Sequence, residues 1–333
     1  MREASWTNGE VSVCIVGGAG FIGSHFTDAL LRLPETRRVT LFDNFSSGRE
    51  RHFERHIRDE RLRVIRGDAG DVCMLTEAVI GHEVVIHLAS NPDIARAATD
   101  PEIDFYQGTM LTQNVVEAMR RAGAGRLLYA SGSGVYGERG ETVLREDFSP
   151  LMPVSTYGAS KLAGEALIAS YCAMFGMTAC AFRFANVVGS RQTHGVGFDF
   201  LRRLREDPKR LAILGDGRQS KSYVHVSDVV EAALLANAQV ESGFHVWNVA
   251  TDDAVTVTEI AEMAAQTLGL DRLPRFEYTG GDRGWKGDVP VVRLDSSRMK
   301  ELGWRPRFNS REAVRWSLRE MAAEFETEAV IHA

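Results

Sequence analysis

The stretch that decides the fold reads VSVCIVGGAGFIG and spans residues 11–23. A short apolar run, Val11–Val16, leads directly into Gly17, Gly20 and Gly23, and residues with helical periodicity follow. In a strand–turn–helix unit the first glycine permits the tight turn, the second lets the backbone approach a diphosphate, and the third lets the helix pack closely on the strand. The stretch therefore predicts a dinucleotide site at the positive helix N-terminus, although its spacing is GxxGxxG instead of GxGxxG.

Apolar runs alternate with segments of helical periodicity along most of the chain, which is typical of βαβ units and a mostly parallel sheet. The predicted strands are residues 11–16, 38–42, 62–66, 84–88, 126–130, 178–184 and 244–249, and the predicted helices are residues 24–33, 72–80, 101–122, 156–175 and 227–238. Loops rich in glycine and arginine interrupt the pattern after about Asn186. We predict an α/β fold with a Rossmann-type doubly wound parallel sheet in residues 1–185 and about 226–253, and a smaller C-terminal substrate lobe in residues 186–225 and 254–333.

The composition excludes several other classes of protein. The chain has 333 residues, 44% of them hydrophobic and 25% charged, with a formal net charge of −6, which is typical of a globular protein and gives no support for nucleic-acid binding. No apolar run approaches the ~18–20 residues of a membrane span, and the first residues lack the apolar segment of a signal peptide. The four cysteines are far apart and form no CxxC pair. We expect a cytoplasmic protein with no metal site and with neither nucleic acid nor a membrane as partner.

A carboxylate ends the second predicted strand. Asp43 follows Gly23 by about twenty residues, where an acidic side chain bonds a ribose 2′-hydroxyl and repels a 2′-phosphate. This favours NAD over NADP, whereas Asn44 and Arg49 close by leave NADP open. Asp68, after the third strand, is expected either to cap the next helix or to reach the adenine.

A second motif, Tyr157-Gly158-Ala159-Ser160-Lys161, begins a predicted helix. Residues four apart lie on one face of a helix, so the phenol of Tyr157 and the ammonium of Lys161 can enter one site. A nearby cation favours the phenolate, which makes Tyr157 the candidate general base. A YxxxK pattern alone is common on surface helices. Here it follows the glycine turn and a hydroxyl-rich strand end at residues 131–137, and this order favours catalysis.

Several segments resemble the extended short-chain dehydrogenase/reductases, and within them the nucleotide-sugar epimerases of the UDP-galactose 4-epimerase type. In chain order the segments are GGAGFIGSH, LFDNFSSG, GDAGD, HLAS, YASGSGVYG, YGASK, FRFANVVG, LGDGRQSKSYVHVSDV and WNVA, and the resemblance covers roughly residues 11–306. It implies a Rossmann-type fold with NAD as a tightly held cofactor. It also implies a homodimer in which helices 101–122 and 156–175 form a four-helix bundle with their copies.

The resemblance also implies roles for individual residues. The cofactor is expected to be held by Gly17, Gly20, Phe21, Ile22, Gly23, Asp43, Asn44, Asp68, Ala69, Leu88, Ala89, Tyr157 and Lys161. A hydroxyl after the fifth strand is expected to bridge Tyr157 and the substrate O4, but Gly132 stands where many epimerases have Ser or Thr. We prefer Ser131 for this catalytic and substrate-binding role and keep Ser133 open. Either hydroxyl can instead bond the backbone of its own turn.

The same loop discriminates among reactions. Sugar 4,6-dehydratases typically have an Asp-Glu pair just before VYG, and uronate decarboxylases usually have Glu there, whereas Ser133-Gly134 offers neither. The resemblance thus implies an isomerase: NAD-dependent epimerisation at C4 of a UDP-hexose through a transient 4-keto intermediate. A UDP-uronate 4-epimerase, with Arg191 or His194 meeting the carboxylate, and a nucleotide-sugar reductase are the alternatives. A non-enzymatic dinucleotide sensor is disfavoured because the Tyr–Lys pair is intact.

Four further residues are expected to bind the UDP-sugar substrate. Asn186 resembles an asparagine that contacts the diphosphate, Lys221 stands where an arginine is usual and still supplies a point charge, and Arg283 is a second phosphate candidate. For both basic residues the alternative is a solvated surface position. In the epimerases that this chain resembles, the residue at the place of Val292 faces the sugar C2 substituent. The resemblance therefore implies that the small Val292 leaves room for an N-acetyl group, and the alternative for Val292 is a buried strand position.

Overall fold

The computed structural model describes residues 9–331 and consists of a seven-stranded sheet covered by helices, with a smaller lobe of short strands and helices. The strands are β1 Val11–Val16, β2 Thr36–Asp43, β3 Leu62–Arg66, β4 Val84–His87, β5 Arg126–Gly132, β6 Val143–Leu144, β7 Thr178–Phe184, β8 Asn186–Val188, β9 Arg210–Ile213, β10 Ser220–Lys221, β11 Tyr223–His225, β12 Gly243–Val249, β13 Val255–Thr256, β14 Arg275–Tyr278 and β15 Arg293–Leu294. The α-helices are α1 Phe21–Arg32, α2 Val72–Val79, α3 Leu111–Ala122, α4 Thr156–Phe175, α5 Val196–Glu206, α6 Val226–Gln239, α7 Val257–Thr267, α8 Ser297–Glu301 and α9 Ser310–Ile331. Residues 1–8, to which the expectation of no signal peptide refers, lie outside the described part.

The seven strands of the central sheet are parallel and lie in the order β12-β7-β5-β4-β1-β2-β3. The chain begins in the middle with β1, proceeds outward through β2 and β3, and then crosses to β4 on the other side. The strand order therefore reverses between β1 and β4, and such sheets bind ligands in the crevice at the carboxyl ends of the strands there. The predicted doubly wound parallel sheet is confirmed.

Burial of both faces explains the strand sequences. Every residue of β1 is buried, and parallel strands that helices cover on both sides read as continuous apolar runs. On one face α1 and α6 contribute Phe26 and Val229 to the core, and on the other α2, α3 and α4 contribute Leu75, Val115 and Ile168. The two cores hold the carboxyl ends of the strands in a fixed arrangement.

Two helices begin three or more residues away from their predicted starts. α1 begins at Phe21, three residues before the predicted start, with Gly20 as its N-cap. α3 begins at Leu111 instead of residue 101 because Phe105–Met110 is a π-helical segment. Gly108 in this segment lies against α4, where an added Cβ would come within 2.6 Å of the Ser160 Oγ. The wider turns of the π-helix thus accompany a close contact between helices.

The smaller lobe has a core of its own, formed by residues of α5, α7 and α9 such as Leu201, Ile260 and Leu318. In contrast, Val292 and Trp304 pack in a core of the central sheet, although both lie beyond residue 254. The division of the chain into two domains at the predicted boundaries therefore stays a prediction. Within residues 9–331, no helix is both long enough and apolar enough to span a bilayer.

Candidate active site

A cavity of about 580 Å³ opens at the carboxyl ends of β1, β2, β4 and β5, where the strand order reverses. It is lined by all of the predicted cofactor residues, Gly17, Gly20, Phe21, Ile22, Gly23, Asp43, Asn44, Asp68, Ala69, Leu88, Ala89, Tyr157 and Lys161, and by Ser131, Ser133, Asn186, Lys221 and Val292. Segments of the smaller lobe contribute the opposite wall. Residues that are distant in the sequence thus meet around one space.

The glycine turn between β1 and α1 has no room for side chains. Gly17 has a φ of +83°, and a Cβ there would lie 2.7 Å from the backbone nitrogen of Ala89. A Cβ on Gly23 would lie 2.7 Å from the carbonyl oxygen of Gly17. Gly20 caps α1 without a side chain, so the amides of the first helical turn face no capping group and can bind an anion.

Asp43 ends β2 beside this turn and is 8% exposed. Its Oδ2 accepts a hydrogen bond from the Ala19 amide at 2.9 Å, and its Oδ1 accepts one from the Phe45 amide at 2.7 Å. Burial raises the pKa of this carboxyl above its ordinary value, and the two backbone donors oppose the shift. Each oxygen keeps a lone pair for a further donor such as a ribose hydroxyl.

Asp68 accepts hydrogen bonds from the Gly70 amide at 2.7 Å and from Asn44 Nδ2 at 3.0 Å. It does not cap α2, because the N-cap is Asp71, whose carboxylate accepts from two amides of the first turn. The capping alternative for Asp68 is therefore wrong. Asn44 and Asp68 line the cavity side by side, and contact with the adenine stays a prediction.

Tyr157 and Lys161 lie one turn apart at the beginning of α4. The side chain of Ser155 caps this helix by accepting from the Gly158 amide at 3.1 Å. Lys161 is 3% exposed, and its Nζ lies 5.4 Å from the centre of the Tyr157 ring. The same Nζ donates to the carbonyl oxygen of Ala130 at 2.8 Å, which fixes the helix against β5.

The pKa values of these two side chains shift in opposite directions. Burial lowers the pKa of Lys161 to about 8. Burial also raises the pKa of Tyr157, the carboxylate of Asp104 adds to this effect, and a hydrogen bond with Ser90 opposes it. Both shifts disfavour the charged form of the side chain, so a bound ligand that carries or accepts charge changes the pKa of both groups.

The residues after Ala130 present their hydroxyls differently. Ser131 is 4% exposed, and its Oγ donates to Glu165 Oε1 at 2.6 Å. Ser133 begins a short 3₁₀ turn at the cavity. Gly132 has extended backbone with φ −162°, and a Cβ there would meet no atom within 4 Å. The space beside Gly132 is open, and Ser131 and Ser133 flank this residue in the sequence.

Lys221 brings positive charge to the lobe side of the cavity. Its Nζ donates to Asp288 Oδ1 at 2.6 Å and lies 5.3 Å from the centre of the Trp285 ring. Asp288 is only 3% exposed, so the ion pair is largely buried. Asn186 lines the same side, and Val292 is 8% exposed, lining the cavity and packing in the core at once.

Arg283 is not among the residues that line the cavity, and its contact with a phosphate stays a prediction. Its guanidinium pairs with Glu138 at 2.9 Å. Arg191 also lies outside the lining, because it pairs with Asp28 of α1, whereas His194 does line the cavity. The sequence shows where the basic residues are, but it does not show which carboxylate forms an ion pair with each of them.

Sequence reasoning missed several residues of the site. Ser90 lies within hydrogen-bonding reach of Tyr157 and belongs to the HLAS segment, so its position was a usable signal. Glu165 follows Lys161 by four residues on the same face of α4, and the same periodicity could have found it. Trp285 and Gln192 come from irregular loops that carry no such signal.

These residues fit a dinucleotide cofactor. The turn that excludes side chains leaves a helix N-terminus open to a diphosphate, Asp43 beside it suits a ribose with a free 2′-hydroxyl, and Tyr157 and Lys161 line the same cavity. The fold and the site together define a dinucleotide-dependent enzyme of the α/β class.

Comparison with known proteins identifies the family. The profile of the NAD dependent epimerase/dehydratase family matches residues 13–250. The chain belongs to this family, which confirms the resemblance found in the sequence and NAD as the cofactor.

Both branches of the family are represented among similar proteins. A UDP-glucose 4-epimerase from Mycolicibacterium smegmatis is 31% identical over 90% of this chain and 95% of its own length. A solved UDP-galactose 4-epimerase is 36% identical with a TM-score of 0.83, covering 94% of this chain and 99% of its own. A dTDP-glucose 4,6-dehydratase from Streptomyces venezuelae, solved with NAD bound, is 26% identical with a TM-score of 0.86, covering 95% and 98%.

Proposed function

We propose that this protein epimerises a UDP-hexose at C4, interconverting UDP-glucose and UDP-galactose through a 4-keto intermediate. The observation that carries the proposal is the placement of Tyr157 and Lys161 at one cavity with the glycine turn and Asp43. The similar epimerases support the same reaction. A cytoplasmic location stays a prediction.

In this reaction Tyr157 takes the proton of the substrate 4-hydroxyl and later returns it. The Lys161 ammonium, 5.4 Å from the ring centre, favours the phenolate and opposes the effect of burial. A serine hydroxyl at the carboxyl end of β5, that of Ser131 in the strand or of Ser133 directly after it, holds the substrate O4 close to the phenol. NAD, when bound, would serve as the oxidant of the C4 alcohol and, in its reduced form, as the reductant of the ketone on the other face of the sugar.

Dehydratases are also similar to this chain, and the loop before Val135 separates the two reactions. Elimination of water needs an acid and a base beside the sugar, which carboxylates usually supply. The positions before Val135 are Ser133 and Gly134, and neither carries a carboxyl group. We therefore favour a cycle without elimination, with no net change in the oxidation state of the substrate.

The lobe side of the cavity suits the nucleotide diphosphate and a range of sugars. We propose that Lys221 and Asn186, which line the cavity together with Trp285, bind the phosphates. The small side chain of Val292 leaves room at the cavity wall, so we propose that the N-acetylhexosamine pair is also accepted. Arg191 does not line the cavity, so it gives no support for binding the carboxylate of a uronate substrate.

We propose a homodimer formed by α3 and α4. Apolar side chains at this part of the surface support the proposal: Phe105 is 56% exposed, and Met174 is 71% exposed. Ala159, Ala166 and Ala173 form an exposed stripe of small residues along α4 that permits close helix packing. Sedimentation that gives a monomer at micromolar concentration would contradict this assembly.

A panel of nucleotide sugars tests the function. The purified protein is incubated with UDP-glucose, UDP-galactose, UDP-N-acetylglucosamine and UDP-glucuronate, and NMR of the anomeric protons identifies each product. We expect the C4 epimers of the neutral hexoses and no net production or consumption of NADH. Net cofactor turnover would indicate a reductase, loss of water a dehydratase, and conversion of the glucuronate alone a uronate epimerase.

A further inference from the structure

A buried carboxylate lies behind the cavity wall, and the reaction proposed above does not use it. Asp104 directly precedes the π-helical segment, is 1% exposed and is not among the residues that line the cavity. A carboxylate that is buried in this way needs hydrogen-bond donors around it. Its donors come from two segments that also carry groups of the candidate active site.

Asp104 joins the start of α4 to the loop after β4. Its Oδ2 accepts a hydrogen bond from Thr156 Oγ1 at 2.7 Å, and its Oδ1 accepts one from Asn91 Nδ2 at 2.9 Å. Thr156 is the first residue of α4 and directly precedes Tyr157. Asn91 directly follows Ser90, which lies within hydrogen-bonding reach of Tyr157. The carboxylate thus ties together the two segments that meet at the phenol.

The hydrogen bonds of Asn91 fix the orientation of its amide. Its Oδ1 accepts from the Asp93 amide at 3.0 Å, and its Nδ2 donates both to Asp104 and, at 2.9 Å, to the carbonyl oxygen of Asp93. A rotated amide would turn its NH₂ group toward the N–H of Asp93 and its oxygen toward the carboxylate, so all three bonds would be lost. Asn91 is 3% exposed, and the join between the two segments is therefore buried and fully bonded.

Asp104 also brings negative charge close to the Tyr–Lys pair. Burial lowers the pKa of Lys161 and raises that of Tyr157, and the carboxylate opposes the first shift and adds to the second. Tyr129 of β5 and His87 of β4 also face Lys161. Burial lowers the pKa of His87 to about 3 and raises that of Tyr129, so both are neutral near pH 7. Among these neighbours of the pair, Asp104 is the one that carries charge.

We propose that Asp104 is a positioning residue for the base: it holds the Ser90 loop against the start of α4 and keeps a buried negative charge behind Tyr157 and Lys161. This role rests on the proposed function and deepens it. The two hydrogen bonds fix the place of the phenol relative to Ser90, and the charge favours the ammonium form of Lys161. Because Asp104 does not line the cavity, it acts through these side chains and not on the ligands.

Titration of Lys161 tests the buried charge. The holoprotein is prepared with lysine labelled with ¹³C at Cε, and NMR follows its five lysines, with Lys161 assigned by its absence in Lys161→Met. Asp104→Asn is expected to lower the titration midpoint of Lys161 by about 0.5–1 on the pH scale, because a negative charge several ångströms away is lost. Asp100→Asn is the matched control: this carboxylate pairs with Arg96 at the surface, 3.3 Å away, and its loss should leave the midpoint unchanged.

Turnover of UDP-glucose tests the positioning. An asparagine at position 104 keeps an oxygen for Asn91 and an amide that can donate to the Thr156 hydroxyl, whereas an alanine keeps neither bond. We expect kcat to fall by about tenfold or more in Asp104→Ala, since a small displacement of a reacting group has an effect of this size, and to fall less in Asp104→Asn. In Asp104→Asn the rise of kcat with pH should also move to lower pH, because loss of the charge lowers the pKa of Tyr157.

The outcomes separate this role from the proposed function. An unchanged midpoint of Lys161 in Asp104→Asn, or a kcat of Asp104→Ala equal to that of the parent, would overturn the role of Asp104 and leave the proposed function standing. A parent protein that converts no nucleotide sugar would overturn the proposed function, whereas a lowered midpoint would still support the charge behind Lys161. The titration needs only Asp104→Asn, so it does not depend on the folding of Asp104→Ala.

Discussion

Lys161 donates a hydrogen bond from its Nζ to the carbonyl oxygen of Ala130, 2.8 Å away. This bond joins α4, which carries Tyr157, to the carboxyl end of β5, which contains Ser131 and leads into Ser133. Because Lys161 is only 3% exposed, the base and the hydroxyls are held in register before any ligand binds. Substitutions of these side chains should therefore separate their roles.

Replacing Tyr157 with Phe removes the proton acceptor and keeps the ring. We expect kcat for UDP-glucose to fall by about 10² or more, as is typical for loss of a general base, while bound NAD is retained. Product formation is followed by NMR, and cofactor content is measured after denaturation. Turnover close to that of the parent would refute Tyr157 as the base.

Comparison of Ser131→Ala with Ser133→Ala identifies the hydroxyl that serves the substrate O4. We expect kcat to fall in the variant that lacks this hydroxyl, because it loses a hydrogen bond to the substrate that contributes roughly 1 kcal/mol. The other variant is expected to keep kcat within about threefold of the parent. Steady-state kcat and KM are measured for both.

Because a Cβ at position 132 meets no atom within 4 Å, Gly132→Ser is expected to fold normally, and a loss of stability in this variant would contradict the open space at Gly132.

Lys161→Met should stabilise the cofactor-free protein near neutral pH. The folded state lowers the pKa of Lys161 from 10.5 to about 8, so the unfolded chain binds more protons between these values and wild-type stability rises with pH there. At pH 7 the buried charge costs up to about 3 kcal/mol, which the methionine avoids. In urea unfolding, Lys161→Met is expected to have a higher free energy of unfolding than the wild type at pH 7 and a smaller gain at pH 10. An equal loss of stability at both pH values would contradict the cost of the buried cation.

Asp43→Ala should weaken NAD and reduce the preference over NADP. The carboxylate is expected to bond the ribose, and a hydrogen bond to a charged group contributes about 1.5–3 kcal/mol, or roughly 10–100-fold in affinity. Titration calorimetry with both cofactors measures the change. Asp68→Ala, on the neighbouring strand end, serves as the comparison and should not alter the choice between them. Tighter binding of NADP than of NAD by the wild-type protein would show that Asp43 does not select the cofactor.

Val292→Tyr tests the width of the cavity at the sugar. Added bulk is expected to clash with an N-acetyl group at C2 more than with a hydroxyl, so turnover of UDP-N-acetylglucosamine should fall far more than that of UDP-glucose. Val292 is 8% exposed and also packs in the core, so thermal stability is measured alongside. Equal losses on both substrates, or no activity of the parent on the acetylated sugar, would count against a role in substrate choice.

Features that depend on neighbouring residues along the chain could be predicted. The strand before Gly17, the spacing of the glycines and the one-turn separation of Tyr157 and Lys161 follow from local sterics and helical periodicity. β1, β3, β7 and α4 have the predicted bounds; β1 and β7 are buried throughout, and Ser155 caps α4. The order of these motifs was sufficient to predict the sheet and the cofactor.

Partners across the fold were decided only by the tertiary structure. Ser131 bonds Glu165, 34 residues away, and Arg283 bonds Glu138, 145 residues away. The π-helical start before α3 reflects the contact of Gly108 with Ser160 on another helix. Composition and periodicity show which groups can donate, accept or pack, but the crossovers of a parallel sheet determine which of them meet, and that choice sets the polarity and charge of the site.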